Sequence, residues 1–454
     1  SKMEVVKKDI DQLNAEVTIK IGETDYKDKV EQALKNYRKQ AKMPGFRPGM
    51  VPMGMIKKMV GTNILVDEIN RLLSEKLNKF IGEEKLNILG NPLPKEESDR
   101  NIDWEKQKEF DFTYELGLAP EVNVSLSEKD KFDQYKIKVT DKMVNEQINE
   151  IAKQYGKMVE VNQAEEEDML YGTFQELEKG KVKEEGISNQ TVLNLRSIEK
   201  KGDRKAFIGK KIGDVIKFKP QNIASANYVA SWLGIEEKYI KDQKSEFQFS
   251  IEKINRMEPA TLNQEFFDKI YGKDNVKSEA EMQEKIRAEM EKGYNNSGVQ
   301  LLEREIQDYL LKKAKLQLPD NFMKKWLQVA NEKPVTKEQI EEEYEQYATG
   351  LKWQLIENKL VKDHNVEVSR EDLKAHTIDM IRQQLASMGQ NFMGEAEMEE
   401  TADRILGNQD EARRLYDQIL QTKLREVYLK AVKIKEREVS YDDFLKLAEK
   451  KRNN

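Results

Sequence analysis

Apolar residues make up 38% of this 454-residue chain and charged residues 36%, a balance too polar for one large core, yet too periodic and too rich in Leu, Ile and Tyr for a disordered chain. The length suits about three domains, so several small cores on an elongated body with long solvated helices are expected. The net charge of −6 with interleaved signs does not suit a general nucleic-acid binder, the lack of cysteine removes disulfides and thiolate metal sites, and no apolar run reaches membrane-spanning length.

The N-terminal residues include no apolar run of signal-peptide length, so the cytoplasm is the expected compartment. MEVVKKD and NAEVTIKI read as two short strands joined by a polar turn. In the next stretch Tyr26, Val30, Ala33, Leu34, Tyr37 and Ala41 recur at helical spacing. MPGFRPGMVP (43–52) follows, and Pro52 suits the first turn of a further helix. Ile64–Ile81 reads as helix and FDFTYELGLAP as a strand, which closes an α+β unit near Pro120.

Residues 121–150 read as a connecting segment with one strand-like stretch (DQYKIKV) and the start of a helix. Between 151 and 257 the strand signals DMLYGTFQEL, TVLNLRSI, DVIKFKP and EFQFSIEKI indicate a small β domain. From 258 onward the chain reads as helix. Thr261/Gln264 and Thr336/Gln339 have capping-box spacing, and Ser369/Asp372 and Ser440/Asp443 have a weaker form of it.

Nothing points to covalent catalysis. The two histidines, His364 and His376, lie in polar helical contexts, and the runs EEED (165–168) and EEEY (341–344) read as solvated faces. GDRKAFIGK has neither the glycine spacing nor the Ser/Thr of a phosphate loop. No cofactor, metal or catalytic residue is indicated.

The loop at 43–52 is different. Between Lys27 and Lys58 there are nine Lys/Arg and two acids, a local +7 in a chain of −6. Such a patch attracts a polyanion. Glycines allow a sharp turn and Pro44, Pro48 and Pro52 stiffen it, so the central Phe-Arg pair loses little entropy on docking. The plainer reading tucks Phe46 under the loop and leaves Arg47 solvated.

GFRPGMVP closely resembles the ribosome-binding signature of bacterial trigger factors, Gly-Phe-Arg-x-Gly-Lys-x-Pro. The likeness runs the length of the chain, from the leading strand–strand–helix to the final SYDDFLKLAEK. It implies an α+β multidomain chain. The expected parts are an N-terminal α+β ribosome-binding domain (1–120), a linker (121–150), a middle FK506-binding-protein-like β domain (151–257) and a C-terminal all-α domain with helical arms (258–454). It also implies an ATP-independent chaperone that docks on the large ribosomal subunit near the exit tunnel and holds nascent or unfolded polypeptides. No membrane or DNA partner is implied, and homodimerisation when free is compatible with it. Carried over residue by residue, Gly45, Phe46, Arg47, Pro48 and Gly49 form the docking loop. Pro48 and Met50 stand where the family often has Lys, which shifts the charge to Lys42, Lys57 and Lys58.

The resemblance makes the middle domain similar to a prolyl isomerase, whose proline pocket is aromatic and aliphatic. Leu170, Phe174, Phe207 and Phe247 are its pocket candidates, and Asp168, Gly209, Gly213 and Asp214 match the surrounding pattern. Lys200 and Asp203 occupy places where the family has an aliphatic residue and a Phe, and a charge lining a dry pocket is costly. Tyr228 and Trp232 are available to rebuild an apolar surface. Two alternatives therefore stay open beside the ribosome-associated chaperone: an active isomerase with chaperone extensions, and a ribosome-independent holdase. In the helical half, Met380, Met388, Met393 and Met398 cluster with Phe392, either as ordinary core or as an adaptable client surface.

Overall fold

The structure is a computed structural model that describes residues 3–96, 101–388 and 393–453. Two compact units emerge, each drawn from separated stretches. One comprises Ser1–Gln134, Gln300–Ile381 and Met393–Lys435, and the other Tyr135–Val299, Arg382–Phe392 and Glu436–Asn454.

The chain opens with β1 (Glu4–Asp9), β2 (Asn14–Ile21), α1 (Glu23–Gln40), α2 (Met53–Glu83), β3 (Ile88–Pro94) and β4 (Phe110–Leu118). The strands form one antiparallel sheet in the order β1-β2-β4-β3. In β2, Ala15, Val17, Ile19 and Ile21 are buried while their alternate neighbours are not, the period-two pattern of a one-sided strand. Tyr26 of α1 and Ile69, Leu72, Leu73 and Leu77 of α2 share that core. The helix expected at Ile64–Ile81 is the later part of α2, which starts at Met53 and runs through Gly54 and Gly61. Pro52 sits at its N-cap, one residue ahead of the expected place.

β5 (Lys131–Ile137) and α3 (Asp141–Gln154) follow. The stretch 121–150, expected as a linker, is built into cores rather than left to connect. Val124 and Leu126 are buried with Leu302, Ile306, Leu310, Ile356, Leu424 and Tyr428. Asp130, 8% exposed, accepts from the Tyr309 hydroxyl and lies 3.6 Å from Lys313 Nζ. Thr140 caps α3 by accepting from the Met143 amide at 3.2 Å. Val144 and Ile148 of α3 then join Phe266, Phe267, Met282 and Ile286 in a separate core.

The β-rich middle holds β6 (Lys157–Val161), β7 (Met169–Glu178), β8 (Lys181–Val182), β9 (Ser188–Asn194), α4 (Lys201–Arg204), β10 (Val215–Phe218), α5 (Ala226–Leu233) and β11 (Phe247–Glu258). β11 pairs antiparallel with β10, β7 and β6, and β7 pairs with β8 and β9. The four strands signalled by the sequence are β7, β9, β10 and β11. One face of the sheet carries Leu170, Phe174, Leu193, Phe247 and Phe249, covered by Val229, Trp232 and Leu233 of α5.

The rest is mainly helical: α6 (Gln264–Tyr271), α7 (Glu279–Ala314), α8 (Asp320–Ala330), α9 (Lys337–Asp363), α10 (Arg370–Ser387), α11 (Glu395–Leu406), α12 (Gln409–Ala431), the strand β12 (Lys433–Val439), which pairs with β5, and α13 (Tyr441–Asn453). Thr336 and Gln339 form a full capping box, with bonds of 3.1 and 3.0 Å. Ser369 accepts from the Asp372 amide at 3.1 Å and Ser440 from the Asp443 amide at 3.1 Å. The Thr261/Gln264 expectation is corrected: Asn263 takes the N-cap of α6 and accepts from the Phe266 amide at 3.0 Å. Among the described residues, no helix is long and apolar enough to cross a membrane.

Candidate functional site

The loop between α1 and α2 is two Pro-Gly turns in tandem. In Met43-Pro44-Gly45-Phe46, the Phe46 amide donates to the Met43 carbonyl at 3.2 Å. In Arg47-Pro48-Gly49-Met50, the Met50 amide donates to the Arg47 carbonyl at 2.9 Å. Gly45 and Gly49 have φ of +90° and +81°. Proline at the second position and a positive-φ glycine at the third is the type II arrangement. Pro48 thus completes a second turn of the same kind.

The loop is closed at its base. The Gly49 amide donates to the Ala41 carbonyl at 3.1 Å, and Arg38 Nε donates to the Val51 carbonyl at 2.8 Å. Val51 is buried with Leu34 and Ile56, flanked by Met43, Met53 and Met55. The side chains of Phe46 and Arg47 fall at the junction of the two turns. Phe46 is 39% exposed and Arg47 is exposed, with no ion pair among the described residues. Lys42, Lys57 and Lys58 are also exposed. The reading that tucks Phe46 under the loop does not hold, because Phe46 is exposed and the apolar cluster beneath the loop is made by Val51, Leu34 and Ile56 without it. The roles of Arg38 and Val51 were missed in the sequence. The only signal for Val51 was a lone β-branched residue among turn formers.

The four pocket candidates are brought together, but as core. Leu170, Phe174 and Phe247 are 0% exposed and Phe207 is 1%. Phe174 lies 4.6 Å from Phe249, 5.8 Å from Phe218 and 6.5 Å from Phe247, and stacks on Trp232 at 5.9 Å with planes 11° apart. Phe207 meets Phe218 edge-on at 5.1 Å. A proline ring needs open aromatic surface, and these side chains offer almost none. α4 buries no residue, and Lys200 is exposed and Asp203 half-buried, so neither displaced charge is part of the buried core. Trp232 from α5 supplies the apolar surface, whereas Tyr228 is 44% exposed.

Within EEED the solvated reading fails at one residue. Asp168 is 1% exposed and receives two bonds from Arg256, at 2.9 and 3.0 Å. This ion pair fixes β7 against β11. Tyr344 of EEEY is likewise buried and donates its hydroxyl to Asp320. His364 is exposed at the end of α9, and His376 Nε2 lies 3.4 Å from Gln418 Oε1. Met398 is buried, Met380 and Met393 are half-buried, and Met388 is 59% exposed. Phe392 lies outside the described residues.

Comparison with known families accounts for most of the chain. Residues 3–151 match the family model described as bacterial trigger factor protein, 158–259 the trigger factor FKBP-like domain, and 299–448 the trigger factor C-terminal domain. That ordered set defines a multidomain chaperone with a prolyl-isomerase-like middle. A trigger factor of Francisella tularensis subsp. mediasiatica is 23% identical over 450 residues, 96% of this chain and 95% of its own. One from F. tularensis subsp. novicida is 26% identical over 327 residues (70% and 69%), and one from Chlorobaculum parvum 25% over 374 residues (78% and 81%). The chain belongs to the trigger factor family of chaperones.

Proposed function

We propose that this chain docks on the large ribosomal subunit near the nascent-chain exit and shields apolar segments of emerging or unfolded polypeptides, without nucleotide or cofactor. Its place of action is then the cytoplasm. The observation that carries the reading is the exposed Phe46-Arg47 pair, held between two closed Pro-Gly turns on a segment of local charge +7. A stiff presented aromatic and an unpaired cation suit a hot spot, because little conformational entropy is lost on binding. Residues 1–120 serve as the docking domain and 258–454 as the client-holding part. The filled aromatic core favours a structural or peptide-holding role for 151–257 over isomerase catalysis.

Co-sedimentation with ribosomes at low and moderate salt tests the docking. Phe46→Ala/Arg47→Ala is expected to pellet about tenfold less than the wild type. Equal pelleting of the two would remove the assignment.

A further inference from the structure

We propose that Met50 and Met59, beside the docking loop, are sites of reversible oxidation through which peroxides weaken docking, an inference that rests on the docking reading above. Five of the chain's 17 methionines (Met43, Met50, Met53, Met55 and Met59) fall within residues 43–59, where an even scatter would place fewer than one. Met50 closes the second turn and is 64% exposed, and Met59 in the second turn of α2 is 49% exposed. Met43, Met53 and Met55 are half-buried around Val51 and Ile56. Oxidant therefore reaches the two outer thioethers first. The chain contains no cysteine to compete for it.

In the reaction the thioether sulfur attacks one oxygen of hydrogen peroxide. The O–O bond breaks, an S–O bond forms, and the other oxygen leaves as water. Sulfur loses two electrons and the peroxide gains them. Reduction by a thiol-dependent sulfoxide reductase reverses the change, with the oxygen leaving as water and two thiols becoming a disulfide. The tip offers a binding surface of Phe46, Met50 and one cation, Arg47. A sulfoxide there puts a strongly hydrated dipole on the apolar part of that surface.

The test treats the full-length chain with hydrogen peroxide until mass spectrometry shows sulfoxide at Met50 and Met59. The oxidant is then removed and co-sedimentation with untreated ribosomes is measured. Pelleting of the wild type is expected to fall about fivefold and to recover with methionine sulfoxide reductase and dithiothreitol. Met50→Leu/Met59→Leu, compared with its own untreated form, should change by less than about twofold, since leucine cannot take the oxygen. Met158→Leu/Met257→Leu, which removes methionines 40% and 37% exposed elsewhere, should stay as sensitive as the wild type. Undiminished pelleting of chain carrying both sulfoxides would overturn the proposal, as would equal sensitivity of Met50→Leu/Met59→Leu. If Phe46→Ala/Arg47→Ala pellets like the wild type, the docking assignment itself fails and this inference with it.

Discussion

Gly49 holds two roles at once. Its amide closes the loop on Ala41, and its φ of +81° belongs to the second turn. A Cβ there would lie 3.3 Å from the Lys39 carbonyl oxygen in a backbone region that costs an L-residue about 1–2 kcal/mol. Gly49→Ala should therefore loosen the loop without unfolding the domain. Hydrogen exchange at the amides of residues 49 and 50 should speed up about tenfold, and ribosome pelleting should fall. Unchanged exchange would show that the turn tolerates the methyl group. At this scale the sequence was informative where chemistry is local. Pro-Gly twice in eight residues sets two turns, and the pair between them is presented whatever the rest of the fold does. Trp232 was not legible in the same way. Its stacking on Phe174 depends on where α5 lands across the sheet, which no local pattern records.

Elements show where packing overrides local preference. β3 was missed because ILGNPLP contains four strand-disfavouring residues, Gly90, Asn91, Pro92 and Pro94, and its register with β4 shifts between Leu89 and Leu93. The strand exists because Leu89 and Leu93 pack with Phe322 and Met323 of α8. The helix lies so close to the sheet that a Cβ on Gly117 of β4 would overlap the Phe322 ring. Gly117→Val should cost about 1–3 kcal/mol through overpacking, read as a lower urea midpoint with an unchanged slope. Farther along, Lys423 of α12 clasps the start of α10, donating to Asp372 Oδ2 and to the Glu367 carbonyl, each at 2.6 Å. The Lys423 hydrogen bond, and then those from Ser369, hold the Asp372 carboxyl down to about 2 from its ordinary 3.8. A carboxyl lowered on folding stabilises the fold above its unfolded value, and the gain is lost as pH falls toward the folded one. The wild type should thus be more stable than Asp372→Asn at pH 6, with the gap closing between about pH 4 and pH 2. A gap that stays constant across that window in urea titrations would mean that the clasp does not depend on the charge.

Across the whole molecule, the linear order of domains was readable but the sharing of cores was not. Burial in a contact between residues 124 and 424 leaves no periodic trace, since each partner only needs to be apolar. The helical half draws one core from Val124 and Leu126 and another from Val144 and Ile148, all of which precede the β-rich middle. That middle is different. Its buried cluster runs only from Ala164 to Ile254, and its ends meet, with Lys157 opposite Glu258 across the β6–β11 ladder. Neighbouring strands lie about 4.8 Å apart, so two or three residues can bridge the gap. Residues 157–258 are therefore an insertion that the flanking cores do not need. Replacing them with Gly-Ser-Gly should leave a chain whose helical circular dichroism is retained and which melts cooperatively, within about 5 °C of the intact chain's helical transition. The isolated 157–258 segment should melt as a second, independent unit. The fragment 258–454, which has the same helices but lacks 121–154, should instead be aggregation-prone and without a cooperative transition. Each of its two main cores would have lost an entire side, and exposing several buried Val, Leu and Ile side chains costs about 1.5–3 kcal/mol apiece, comparable in sum to a domain's whole stability. A cooperative melt from 258–454 alone would show that the segment before the insertion is dispensable.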